Sequence, residues 1–167
     1  MNEANPQKLY ADFPRLYRYR LDEMSMMKYG FDTNDGWFDL IYKLSANIEA
    51  EARKLGLDPN TDSWPAALQV KEKFGQLKFY CAIGEQESEL QPEQRGALLS
   101  FRPMPNNAAI RALITEAEKQ SLTICEGCGV PASLREEGWW RVTCDACKAE
   151  RQARRIWDGS KYPSQPL

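Results

Sequence analysis

The sequence predicts an α+β fold, with helices packed on a small antiparallel sheet and a four-cysteine metal module at the C-terminal end. Three observations lead there. Apolar residues recur at three- and four-residue steps over 34–56 and again over 106–121, the period of amphipathic helices. They alternate with polar residues over 67–83, the period of strands. Two C-x-x-C pairs, Cys125/Cys128 and Cys144/Cys147, have fifteen residues between them, a metal-ligand spacing.

Residues 8–20, KLYADFPRLYRYR, are dense in aromatics and arginine. Asp12 before Phe13-Pro14 suits the cap of a short helix whose first turn holds Pro14, with Leu16 and Tyr17 facing inward. Met24, Met26 and Met27 read as core fillers; an adaptable binding surface is the alternative. The strongest helix spans 34–56, with Asn34 or Asp35 as N-cap and Gly56 as the stop. Trp37, Phe38, Ile41, Leu44 and Ile48 form its inward stripe, leaving Glu49, Glu51, Arg53 and Lys54 mostly in water.

Residues 57–66 carry turn chemistry, and ALQVKEKFGQLKFYCAI at 67–83 reads as a β-hairpin hinged near Lys73–Gln76. Gly75 there tolerates a positive backbone angle. Leu68, Val70 and Phe74 are assigned to one face of the first strand, and Leu77, Phe79 and Cys81 to one face of the second. Lys71, Lys73 and Lys78 are expected on the solvent face, where lysines discourage edge-to-edge pairing; a phosphate contact is the alternative. The thiol of Cys81 is expected to behave as a small buried hydrophobe, since the chain holds no histidine to activate it. Residues 84–105, rich in Glu, Gln and Pro, read as a flexible insertion. Asn106 or Asn107 then caps a helix to about Ser121, with Ile110, Leu113, Ile114 and Ala117 inward.

In the last third, Gly127 and Gly129 allow a tight turn around Cys125 and Cys128. Leu134 to Trp140 read as a hairpin turning at Glu137-Gly138, and Trp140–Thr143 as a strand entering Cys144. From Asp145 to Gly159 the composition favours a helix. The second cysteine pair therefore falls at a helix N-terminus, where free N–H groups favour thiolates. Turn, hairpin and helix in that order look like a treble-clef zinc finger. Cys125, Cys128, Cys144 and Cys147 are the expected ligands of one structural Zn²⁺, closed to substrate; rubredoxin-like iron and a redox dithiol are the alternatives. The expected organisation is an α+β domain at 1–120, the metal module at 121–160, which chelation should unfold, and a tail at 161–167.

Lys148, Arg151, Arg154, Arg155 and Trp157 on the last helix are candidate partner- or nucleic-acid-binding residues; the competing reading is a solvated face whose cations offset thiolate charge. Composition limits the rest. The chain has 22 Lys+Arg and 24 Asp+Glu, a formal charge of −2, which excludes coating nucleic acid by charge alone. Residues 1–100 hold 12 basic against 16 acidic residues, and 101–167 hold 10 against 8. No apolar run of membrane-spanning length and no secretory pattern at the start are seen, so a reducing cytoplasm is the expected compartment.

Several segments resemble a family of small, functionally uncharacterised bacteriophage and prophage proteins. The matching stretches are Phe13-Pro14-Arg15-Leu16-Tyr17, Asp35-Gly36-Trp37-Phe38-Asp39-Leu40-Ile41, Gln69 to Gly75 with Leu77-Lys78-Phe79-Tyr80, Ala117-Glu118 through the first cysteine pair, and Gly138-Trp139 with the second pair. The family shows Cys-Gly-Asp-Gly-Trp where this chain has Thr33-Asn34-Asp35-Gly36-Trp37, so no role for that cysteine transfers. The insertion at 84–105 and the tail beyond 148 are longer here. The resemblance implies a phage or mobile-element origin, action in the host cytoplasm, and no activity to inherit. The expected function is a non-catalytic, zinc-stabilised interaction protein that binds and modulates a host or phage protein, a host defence factor included. The alternative is nucleic-acid binding through the zinc module and its arginine-rich helix. Catalysis is not expected: Asp35, Asp39 and Glu72 are the only carboxylates in notable motifs, and no phosphate loop or nucleophile motif accompanies them.

Overall fold

A computed structural model describes residues 1–84, 89–95, 98–105, 107–137 and 139–159. Its helices are α1 (Ala4–Asp12), α2 (Phe38–Lys54), α3 (Ala108–Ser121) and α4 (Asp145–Gly159). Its strands are β1 (Phe31–Asp32), β2 (Pro65–Lys73), β3 (Gln76–Ile83), β4 (Glu89–Arg95), β5 (Leu98–Met104), β6 (Ser133–Arg135) and β7 (Arg141–Thr143). The fold class is α+β, as the two periodicities predict, but the main sheet is mixed. Its order is β1-β2-β3, and β1 runs parallel to β2, with Phe31 opposite Val70. A parallel neighbour requires a crossover, and α2 supplies it.

The N-terminal helix lies earlier than the caps suggest. Asn2 Oδ1 accepts the amides of Ala4 and Asn5, so the helix starts there. It ends at Asp12 because Pro14 disfavours helical geometry at Phe13, which sits at φ −128°, ψ 54°. Asp12 is thus a helix end, its carboxylate accepting from Lys8 Nζ and Tyr42 Oη, each at 2.7 Å. Leu16 and Tyr17 are fully buried as expected, and the Tyr17 hydroxyl meets Ser45 Oγ at 2.7 Å. The methionines divide: Met27 is buried, whereas Met24 and Met26 are exposed beside Leu21 and Tyr29. Two short 3₁₀ turns, Arg18–Leu21 and Met26–Tyr29, hold that segment.

Trp37, Ile41, Leu44 and Ile48 enter the core with Val70, Leu77, Phe79, Ile110 and Ile114, and Phe38 packs at its margin. Glu49 departs from its expected place in water. It is buried, with Oε2 accepting from Arg53 Nη2 at 2.9 Å. The β2–β3 hairpin turns at Phe74-Gly75, both with positive φ (55° and 74°), the backbone of a type I′ turn. Phe74 is therefore a turn residue and not a strand-face residue, and Leu68 falls at a register shift between Ala67 and Gln69 and is only half-buried. Asn107 caps α3, its Oδ1 accepting from Ile110 N at 3.0 Å.

Lys78 corrects the expected solvent face of β3. It is 2% exposed, and its Nζ lies 3.4 Å from Glu118 Oε2. The cause is α3, which lies along the outer edge of β3: Leu77 N donates to Ser121 Oγ and Phe79 N to Glu118 Oε1. The helix closes the strand edge with side chains and takes Lys78 out of water. Breaking a buried ion pair by removing one partner costs roughly 3–5 kcal/mol. Lys78→Met is expected to cost about 3 kcal/mol in urea unfolding; a loss below about 1 kcal/mol would show that water reaches the pair.

The segment read as a flexible insertion contains a two-stranded antiparallel ribbon, with Glu89 opposite Met104 and Arg95 opposite Leu98. Its Glu, Gln and Pro content hid the strands, since Pro92 is tolerated only where a sheet has a free edge. The tail at 161–167 lies outside the described residues.

Candidate metal centre

The metal module is built as its spacing predicts, from a turn, a hairpin and a helix in that order. Ile124 bridges to Pro131, and the Cys125 amide donates to the carbonyl of Val130 at 2.8 Å. The turn carrying Cys125 and Cys128 closes when Gly129 N donates to Cys125 O at 2.8 Å, with Gly129 at φ 81°. Gly127 is needed for a different reason than backbone freedom. A Cβ there would stand 3.0 Å from Cys147 Sγ, so glycine lets the two cysteine pairs approach. Strand β6 pairs with β7 in register, Leu134 opposite Val142, and β7 delivers Cys144 to the start of α4. The expected turn residue Gly138 lies outside the described residues.

Cys125, Cys128, Cys144 and Cys147 place their sulfurs within 4.8 Å of one another. Among the described residues this is the one group of three or more His, Cys, Asp or Glu side chains able to hold a metal ion. Cys128 and Cys144 sulfurs are 3.7 Å apart. Sulfurs bound about 2.3 Å from one tetrahedral ion stand about 3.8 Å from each other, so the spacing fits a shared ion.

Backbone amides reinforce the site. Cys144 N donates to Cys125 Sγ at 3.3 Å, and Cys147 N, in the first turn of α4, donates to Cys144 Sγ at 3.4 Å. Cys144 thus caps its own helix through sulfur, with the helix dipole favouring the anion. Burial opposes ionisation of Cys125, but amides of Cys144, Cys128 and Gly127 outweigh it and hold that thiol below its ordinary range. Its neighbour responds in the opposite sense: hydrogen bonding with Cys128 and burial push the Cys147 thiol up. Four sulfurs this close ionise together only with a cation between them.

Three residues that the sequence reading did not connect with the metal module join this centre to the rest of the fold. Gly36 N donates to the carbonyl of Glu126 at 2.8 Å, Asn34 N to Glu126 Oε1 at 3.1 Å, and Trp37 Nε1 to the carbonyl of Ile124 at 2.9 Å. Glu126 is 3% exposed, and its other oxygen lies 3.4 Å from Arg141 Nη1. The Asn34–Trp37 segment, expected only to cap α2, is the seat of the first cysteine turn. Its Asp35 serves elsewhere, accepting from Asn2 N and Asn5 Nδ2, and α2 itself starts at Phe38. At the other end, Gly75 packs against Leu134 and Arg141 of the β6–β7 hairpin. The only signal for this docking was glycine itself in Asp35-Gly36-Trp37, at a position where a cap does not require one.

The candidate binding residues of α4 do not form one free stripe. Lys148 Nζ pairs with Glu137 at 2.8 Å and Arg154 with Glu150 at 2.6 Å, while Arg151 lines a cleft beside Arg135 and Trp139. Arg155 and Trp157 belong to the helix by backbone, and their side chains lie outside the described residues. Cys81 stands apart from the cluster, and burial pushes its thiol up to about 12. Glu72 caps the hairpin turn by accepting from Gly75 N, and Asp39 sits in the first turn of α2. No helix among the described residues is long and apolar enough to cross a membrane. Comparison with protein-family models, curated proteins and solved structures finds no match to this chain.

Proposed function

We propose that this chain is a non-catalytic interaction protein whose treble-clef-like module holds one structural Zn²⁺ on Cys125, Cys128, Cys144 and Cys147. Zinc is favoured because four thiolates at tetrahedral spacing suit it, and four protein ligands leave no position for substrate. The observation that supports partner binding lies elsewhere on the molecule. Leu21 is 82% exposed, Met24 92%, Met26 50% and Tyr29 72%, all within one short segment. Such an apolar concentration is the usual mark of a protein contact surface, and methionines adapt readily to a partner's shape. The likeness to phage and prophage proteins supports a host protein, a defence factor among them, as the partner, and the host cytoplasm as the place of action.

The test is affinity purification from host lysate with metal-loaded protein and with the double variant Leu21→Asp, Met24→Asp. The expected result is a specific protein retained by the unmodified chain and lost by the variant, at equal metal content. Identical recoveries from the two, or no specific protein from either, would contradict the proposal.

A further inference from the structure

A cleft of about 270 Å³ opens between the β6–β7 hairpin and the first two turns of α4, and none of its lining residues is a cysteine. Arg135, Arg141, Lys148 and Arg151 line it with a single carboxylate, Glu137, and Trp139, 67% exposed, stands at its wall. The cations are held with unequal strength. Arg141 is tied to Glu126, whose side chain is 4% exposed, and this pair belongs to the scaffold. Arg135 and Lys148 pair with Asp145 and Glu137, carboxylates that are 95% and 81% exposed. Only the carboxylate of each pair stands in water, the Arg135 and Lys148 side chains being 28% and 30% exposed, so solvent screens both pairs and a phosphate can exchange for either carboxylate. Guanidinium groups then bind phosphate through paired N–H donors.

Trp139 decides the ligand class. An exposed indole offers a π face on which any base can stack, and stacking beside a row of cations is how single strands are held without sequence preference. An acidic peptide satisfies the cations and leaves the indole uncovered. The volume lies near the lower limit of ligand pockets, about 300 Å³, room for one nucleotide unit of a strand and not for a duplex. We propose that this cleft binds a nucleotide unit of single-stranded nucleic acid, with its base on Trp139 and its phosphates at Arg135, Lys148 and Arg151. The cleft shares no lining residue with the apolar segment Leu21–Tyr29. The formal charge of −2 keeps the interaction local and salt-dependent.

The test uses the full metal-loaded chain and a fluorescently labelled oligothymidine of about ten nucleotides, followed by anisotropy at about 50 and 200 mM salt. Saturable binding that weakens at the higher salt is expected. Trp139→Ala should weaken it at least about 5-fold, Trp139→Phe should restore most of that loss, and Lys148→Gln should flatten the salt dependence. Lys54→Glu, on the exposed end of α2, should change nothing. Metal content equal to the unmodified chain verifies the fold of each variant. The proposal is overturned by absent saturable binding at low salt, by a Trp139→Ala affinity equal to the unmodified chain, by failure of Trp139→Phe to rescue, by an oligoglutamate that displaces the strand charge for charge, or by a duplex that binds equally well.

Discussion

Gly36→Ala is expected to weaken the metal centre strongly although Gly36 is not a ligand. A Cβ at this position would lie 2.1 Å from Cys125 O, 2.5 Å from Gly129 N and 2.7 Å from Cys128 N. All three are backbone atoms of the first cysteine turn, so no side chain can rotate to make room. Either the turn moves away from α2 or the Asn34–Trp37 segment does. Both movements break the Gly36–Glu126, Asn34–Glu126 and Trp37–Ile124 hydrogen bonds together. Overpacking of this kind costs roughly 1–3 kcal/mol before lost hydrogen bonds, each about 1 kcal/mol, are added. The expected loss is above about 3 kcal/mol, with metal affinity down more than about 100-fold, since each factor of ten is about 1.4 kcal/mol. Gly56→Ala is the control. Gly56 has φ 70°, but a Cβ there meets nothing within 4 Å, so only the backbone cost of about 1 kcal/mol should appear. Equal effects of the two substitutions in chemical denaturation would contradict the docking.

Metal removal is the second large effect, and the structure changes its expected reach. Between them, β6 and β7 have six residues, and the buried apolar residues of the module are few, Cys125 and Val142 among them. Structural zinc contributes about 10–16 kcal/mol in small modules, comparable with the whole stability of an ordinary domain. Chelation should therefore unfold the module, and the loss should pass through Glu126 to residues that the sequence alone assigns to another domain. In hydrogen exchange after chelation, the amides of Cys125, Glu126 and Gly129 should lose protection together with those of Asn34 and Gly36. The amides of Leu77 and Phe79 donate to Ser121 and Glu118, so they should keep theirs. Retained protection at Asn34 and Gly36 would show a self-contained module.

What the sequence makes legible is what local periodicity and spacing encode. The stripe of α2, an asparagine cap on α3, a hairpin hinged near Lys73–Gln76 and the cysteine cluster all follow from neighbours along the chain. What it conceals depends on contacts between distant segments. Lys78 alternates onto a face that looks solvated until α3 covers the strand edge. Glu126 is an unremarked middle residue of C-x-x-C until Asn34 and Arg141 arrive from elsewhere. Asp12 and Asp35 resemble helix caps because a capping residue's chemistry is the same at any turn, and only the surrounding chain shows which amides they meet. The parallel β1 escapes notice because two residues are too few to show a period.

X-ray absorption at the metal edge of the purified protein bears most directly on one ion saturated by four sulfurs. The expected spectrum has a single shell of four sulfurs at about 2.3 Å, with one zinc per chain by elemental analysis. An oxygen or nitrogen ligand in that shell, or metal-free protein with its cysteines joined as disulfides, would contradict it.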